Sequence, residues 1–517
     1  MSIVKLLDAG SVGIVKDVPA WEIDDHAWSG GNNVRFKDGC VERVPGYTSS
    51  FGTVGHAVYG VFPCVDGSGN RYIVYPSLTA IKAVTGTTHY TITRAAGGAY
   101  GATADTKWCG GVLGGILVLQ DGSGVDDPQY WVPQAGGNMA ALTNWPASTK
   151  CRVITPYLSY LVAFDITESS TRYPQRVKWS AHAATGSLPS SWDETDTTKD
   201  SGEYDLGEGQ DFIVGALQIG SQLAIYREQS VYLMRWVGGT SIFAFNKARS
   251  ASGMLASNCV TDIPLGHVVL TNGDVVLFNS SEEKSILDGR MKKYLFSTID
   301  STNYKRSFVV SNIIDSEVLI CYPTSGNTDC DRAIVWNWKT GALSIRDIPN
   351  LTSGATTSVT TGTPSLWSDA TTSWTGDTGT WNGDVYSLAT QKLVLGSTAS
   401  KLYILNLGNT NDGTAFTSTI ERTGITLGDA QAVKRVLSVY PRVDGTTGDT
   451  LGISVGVAMN ADEPYTWSAE QIYSIGSSRK VDFRTSGRFL GLRLRSATSA
   501  TLRFKSADID VEMAGKR

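Results

Sequence analysis

The seven cysteines of this 517-residue chain include no Cys-x-x-Cys pair. They are scattered at Cys40, Cys64, Cys109, Cys151, Cys259, Cys321 and Cys330, which argues against structural zinc and for reduced thiols in the core. Cys321 and Cys330 lie close enough to face each other across a hairpin, yet no disulfide framework is expected. His26, His56, His89, His182 and His267 are isolated, with no His-x-x-x-His or His-Glu-x-x-His spacing to hold a metal or build a triad. The Gly-x-Ser-x-Gly elbow, the phosphate-binding Gly-x-x-x-x-Gly-Lys loop and a dinucleotide fingerprint are missing as well. Basic residues do not dominate: 44 Lys and Arg stand against 49 Asp and Glu, a net charge of −5. That balance argues against a general nucleic-acid binder. No run approaches the ~20 apolar residues of a membrane-spanning helix. The first ten residues lack the apolar stretch of a signal peptide, so synthesis in the cytoplasm is expected.

What the chain has in quantity is turn chemistry. Its 55 glycines accompany abundant Ser, Thr and Val, and apolar runs of four to eight residues alternate with Gly, Asp, Asn and Ser turns. Leu223–Tyr226 with Val231–Trp236, and His267–Leu270 with Val275–Phe278, are expected to be hairpins with four-residue connections. Repeated hairpins over almost 300 residues fit a β-propeller, because radial repetition uses many strands without a long exposed edge. From Lys401 onward the alternation resumes: Leu492-Arg-Leu-Arg495 and Leu502-Arg-Phe-Lys505 put apolar residues on one side and cations on the other. The expected fold class is therefore all-β: a β-propeller with a C-terminal β-sandwich-like domain and an extended N-terminal arm.

The expected boundaries are an arm over 1–50, a propeller core over 51–347 and a sandwich over 401–517. Residues 348–400 form a Ser-, Thr-, Gly- and Trp-rich connection, with completion of the propeller left open. Helix is expected to be scarce, its best candidate being the short run Asp429-Ala-Gln-Ala-Val-Lys434.

The arm carries Trp21 and Trp28 among acidic and turn-forming residues, followed by Gly30-Gly-Asn-Asn33. Such a segment orders only if its aromatics dock on a larger body, since its own contacts cannot offset backbone entropy. Trp21, Trp28, Arg35, Phe36 and Arg43 are the assembly-interface candidates, to be anchored on the chain's own domain, a neighbouring subunit or an adaptor.

Catalytic signals are thin. Asp66-Gly-Ser-Gly69 and Asp121-Gly-Ser-Gly124 invite a calcium reading but lack the twelve-residue loop and its terminal Glu, and read better as polar hairpin turns. Thr375-Gly-Asp-Thr-Gly-Thr-Trp381 approaches the Asp-box turn of sialidase-type propellers, with its Trp one residue early. Arg290-Met-Lys-Lys293 is expected to be a solvated strand end. No catalytic residue, metal or cofactor is expected. Trp367, Trp374 and Trp381, spaced by seven, would be sugar platforms in an alternative carbohydrate-binding or adhesion propeller; a sialidase-like glycosidase is the third possibility.

Several motifs resemble, in order, the tail nozzle or hub proteins of short-tailed bacteriophages, also called head-closure or DNA-stabilisation proteins. They are Asp17-Val-Pro-Ala-Trp21 with Ala27-Trp-Ser-Gly-Gly-Asn-Asn-Val-Arg-Phe-Lys-Asp-Gly39 and Arg43-Val-Pro-Gly-Tyr47, then Val177-Lys-Trp-Ser180 with Ser191-Trp-Asp193. Ala224-Ile-Tyr-Arg-Glu-Gln-Ser-Val-Tyr-Leu-Met-Arg-Trp-Val-Gly-Gly239, Gly266-His-Val and Ser285-Ile-Leu-Asp-Gly-Arg290 before Tyr294-Leu-Phe296 continue the series. Gly487-Arg-Phe-Leu-Gly-Leu-Arg493 and Asp508-Ile-Asp-Val-Glu512 complete it. The resemblance implies a structural virion protein and not an enzyme, a subunit of a hexameric ring in the tail below the portal adaptor. Its implied partners are that head-to-tail connector, tail fibres or spikes, a distal plug or needle, and genomic DNA passing transiently through the lumen. An acidic balance suits a tube through which DNA slides, because a basic wall would hold phosphates.

Overall fold

The computed structural model describes residues 2–6, 8–239, 241–248, 252–359, 390–497 and 499–516. Its local units are antiparallel hairpins closed by short turns. At Gly114-Gly115 both residues have positive φ, 55° and 94°, the conformation that a two-residue hairpin turn requires and that glycine adopts without a Cβ clash. The apolar runs between such turns are strands buried on both faces, as in Ile116–Gln120, where every residue is buried.

Five consecutive four-stranded antiparallel sheets follow one another from Phe62 to Ser285. A sixth begins at Phe308–Asn312, continues through Glu317–Tyr322 and Cys330–Asn337, and ends on the first part of the long strand Leu343–Val359. That strand serves two sheets. Leu343 to Asp347 pairs with Arg332–Trp336, whereas Leu351 to Val359 pairs with Thr390–Ser397. Between the two parts Asn350 takes a φ of 46°, which turns the chain from one sheet to the next.

The seventh sheet is closed by the arm. Leu351 to Val359, Thr390–Ser397 and Lys401–Leu405 are joined on the outside by Tyr47–Ser49, with Leu405 opposite Tyr47. The first strands of all seven sheets contribute to the wall of one central channel. The body is thus a seven-bladed β-propeller whose last blade combines strands from both ends of the propeller sequence.

The remaining strands form a sandwich. One sheet runs Val481–Gly487, Ala432–Asp444, Arg503–Lys516, Cys40–Arg43, Val34–Lys37, with Ser2–Leu6 also paired to Arg503–Lys516. The other runs Thr466–Trp467, Thr450–Ala458, Phe489–Ser496, Ser418–Ile425, Gly30–Asn32. Trp28, Phe36, Val41, Ile453, Leu492 and Phe504 share its core.

The structure revises four expectations. The sandwich does not begin at 401: Lys401–Leu405 belongs to the last blade, which the 348–400 region, whose part in the propeller the sequence leaves open, also supplies in part. The arm is not a separate extended element, because it supplies strands to both domains. Asp429–Lys434 is not helical; Asp429 closes a turn by accepting the Gln431 and Ala432 amides, and a strand starts at Ala432. Among the described residues the α-helix lies instead at Lys292–Thr298, so the Arg290–Lys293 run is not a solvated strand end: Met291 is buried as the N-cap and Lys292 and Lys293 form the first turn. All seven cysteines are free thiols, Cys321 and Cys330 included. No helix among the described residues is long and apolar enough to cross a membrane.

Candidate functional site

The arm is held by bonds within itself and by contacts with the propeller, the sandwich and the chain between them. Trp28 is 1% exposed, its indole N–H donates to the Ala9 carbonyl at 2.6 Å, and its ring meets Phe504 edge-on. Phe36 is buried in the same core. Arg43 is buried too, donating to the Asn409 and Phe416 carbonyls at 2.9 Å each, while its guanidinium lies 3.7 Å from the Phe416 ring centroid. Three of the five interface candidates therefore anchor the arm within its own chain. Arg35 bridges Glu42 at 3.0 Å and reaches Asp315 of the sixth blade at 3.5 Å. Trp21 alone of the five presents a large exposed surface, at 39%.

Asn33, which joins the arm to the sixth blade and to the strand entering the sandwich, is not among the five candidates. Asn33, in the left-handed region at φ 57°, donates from its amide side chain to Asp347 at 2.9 Å and to the Thr417 carbonyl at 3.0 Å. Its side-chain oxygen accepts the Asp347 amide, and its own backbone N–H donates to Ile345. One arm residue thereby fastens the sixth blade to the strand entering the sandwich. The Gly-Gly-Asn-Asn run, which reads as a turn in sequence, is a strand over Gly30–Asn32 with its bend at Asn33, and its long-range partners are not legible locally.

Beside it lies a buried charged cluster. Arg346 donates to the Asn406 side chain at 2.8 Å and to the Pro45 carbonyl at 2.6 Å. Burial lowers its guanidinium to about 10, so it stays charged at neutral pH. Glu317 is pushed up to about 7, by burial first and then by the Asp315 carboxylate, against the opposing pull of Arg35, Arg346 and Lys37. Asp315 itself accepts hydrogen bonds from Asn312 and Asn406.

Helix Lys292–Thr298 begins without a capping side chain of its own. Asp17 supplies it from the arm, accepting the Lys293 and Tyr294 amides at 2.8 and 3.0 Å. Arg290 completes this contact by donating to the Val12 and Gly341 carbonyls.

The propeller channel is the other candidate site, with a cavity of about 440 Å³. Its lining is largely aliphatic and hydroxylic, including Val153, Thr155, Leu217, Thr261, Ser311 and Thr356, with Lys107 and Asp262 as the charged lining residues. Lys107 is buried and donates to the Arg306 and Thr352 carbonyls at 3.0 Å. Burial lowers its ammonium pKa.

Other sequence features resolve into local structure. Asp66 accepts the Ser68 and Asn70 amides of its own turn, and Asp121 does the same for Ser123. His267 is buried between the Gln218 carbonyl and the Tyr226 hydroxyl, and burial lowers its pKa. Among the described residues no group of three or more His, Cys, Asp or Glu is placed to hold a metal ion. Trp367, Trp374, Trp381 and the Asp-box-like stretch lie outside the described residues.

The class these observations define is a seven-bladed β-propeller tied by its arm to a β-sandwich. No family model and no curated protein matches the chain. Solved structures similar to it include the WD40 β-propeller domain of Doa1, at 10% identity and a TM-score of 0.39, covering 70% of this chain and 96% of that one. A streptogramin B lyase is similar at 9% identity and a TM-score of 0.38, covering 69% and 97%. An exo-β-1,3-galactanase from Phanerochaete chrysosporium shows 10% identity and a TM-score of 0.29, covering 84% and 99%.

Proposed function

We propose that the chain is a structural subunit of a short-tailed bacteriophage virion: the tail nozzle or hub, a ring below the portal adaptor that extends the DNA channel, retains the genome and carries fibres or spikes. The observation that carries this proposal is the arm. Its resemblance to the nozzle family is densest over residues 17–47, and these residues reach the propeller through the Asn33–Asp347 bond, the sandwich through the packing of Trp28 on Phe504, and the chain between the two through Arg43. A subunit that retains a packaged genome benefits from such stitching, because load on either domain is carried by buried strands and not by a linker. The ring lumen is expected to be acidic or neutral, in keeping with the net charge of −5.

Negative-stain electron microscopy of the purified chain, alone and with its neighbouring tail proteins, tests the assignment. Six-fold rings are expected. A protein that stays monomeric in both preparations and binds glycans on an array would instead be a carbohydrate-binding propeller. A ring whose lumen proves to be lined continuously by Arg and Lys would overturn the electrostatic part.

A further inference from the structure

Each blade of four antiparallel strands returns the chain to the side from which it entered. The first and third hairpins of blades one to six therefore lie on one face of the disc, and the second hairpins and inter-blade connections on the other. Exposed apolar side chains are distributed unevenly between the two. Val65, Val112 and Leu158 lie at the first hairpins of blades one to three, and Leu265, Ile313 and Ile314 at those of blades five and six. Val132, Trp236 and Val237 stand at third hairpins of blades two and four. These nine are between 40% and 56% exposed; the other four large exposed apolar residues described in the propeller are Val125, Tyr173, Tyr204 and Phe212. The first-hairpin tips of blades two to five, Gly114-Gly115, Leu158-Ser159, Gly220-Ser221 and Pro264-Leu265, carry no charge. They give phosphates nothing to bind.

We propose that this collar around the channel mouth is a docking surface for a second copy of the same chain, which meets it with its arm and sandwich. The area points to a stable protein contact: the nine side chains expose on the order of 800 Å², about what one partner contributes to an interface of standard size. The collar is continuous with a contact already made within the chain, since the arm hairpin reaches Asp315, next to Ile313 and Ile314, through Arg35 and Lys37. The remaining large exposed apolar residues, Trp21, Met459, Ile472 and Met513, all lie on the arm and sandwich. Two different apolar surfaces on one chain make a head-to-tail contact, the kind that closes into rings.

The inference deepens the ring assignment and rests on it, so the test separates the two. Full-length protein carrying Leu158→Asp and Leu265→Asp is compared with wild type and with Val125→Asp on the opposite face, by sedimentation velocity over a concentration series and by electron microscopy. Both collar positions are at exposed turn tips, and circular dichroism with thermal melting verifies the fold. Wild type and Val125→Asp are expected to self-associate, and the collar variant to do so at least about tenfold more weakly, because buried unpaired carboxylates oppose the contact. Rings that assemble equally well with the collar variant would overturn the collar and leave the ring assignment standing. Self-association without rings, abolished in the collar variant, would uphold the collar and overturn the ring. A wild type that stays monomeric at all concentrations, or a collar variant that loses only a heterologous tail partner, would overturn the second copy as occupant.

Discussion

At the residue scale, Trp21 and Trp28 looked equivalent in sequence and have opposite roles. Trp28 fills the sandwich core, so Trp28→Ala is expected to cost about 3–5 kcal/mol in denaturant unfolding. Trp21→Ala removes a partly exposed ring and is expected to shift the same midpoint little while weakening self-association. Equal stability losses would erase the distinction. Glu317 offers a pH prediction. Its carboxyl titrates near 4.5 in the unfolded chain and near 7 in the fold, so the fold binds its proton more tightly. The stabilising contribution is complete below pH 4.5 and is lost as pH rises through 7, about 3 kcal/mol over the window. Asp315, whose pKa is lowered in the fold, works in the opposite direction at lower pH. Between pH 5 and 8, wild type should therefore lose more thermal stability than Glu317→Gln, whose side chain cannot ionise; identical losses would show that Glu317 is not desolvated as described.

At the scale of elements, hairpins were legible because their signals are local. Both expected pairs are present, with Leu270 opposite Val275 and Tyr226 opposite Val231. What could not be read locally is what depends on distant chain. Lys292–Thr298 has weak helical credentials by itself and is capped by Asp17, roughly 275 residues away in sequence. Asp429–Lys434 contains good helix formers, but its Asp closes a turn, and the burial from Ala432 onward then alternates as in a strand. The arm shows the same limit: it reads as an isolated segment because its strand partners outside the arm begin at Leu343 and otherwise lie at Lys401–Leu405 and beyond Ser418. Deleting residues 1–46 should accordingly keep the propeller, which retains Tyr47–Ser49, and unfold the sandwich, which loses the strands Gly30–Asn32, Val34–Lys37 and Cys40–Arg43. Limited proteolysis should trim that variant near residue 406. A sandwich as resistant as in wild type would mean that the arm strands add nothing to it.

At the scale of the whole molecule, two β domains joined by a linker would unfold as independent units, whereas two domains sharing a buried arm should unfold together. The coupling runs through few residues. Asn33 bonds the sixth blade on one side and the Thr417 carbonyl on the other, and Arg346 bonds the blade's neighbour Asn406 and the arm at Pro45. Asn33→Ala removes a donor from two half-buried acceptors and should cost about 1 kcal/mol, whereas Arg346→Met removes the buried cation that faces Glu317 and should cost a few kcal/mol. Their combined effect should exceed loss of stability alone: a single calorimetric transition in wild type should separate into two in the double variant, the sandwich melting first and the propeller near its original temperature. The ratio of calorimetric to van't Hoff enthalpy reports the change directly, near one before and clearly above one after. A double variant that melts lower yet still in one transition would place the coupling elsewhere, in the strand pairings of the arm, and the hydrogen bonds of Asn33 would then be a consequence of the joint and not its cause.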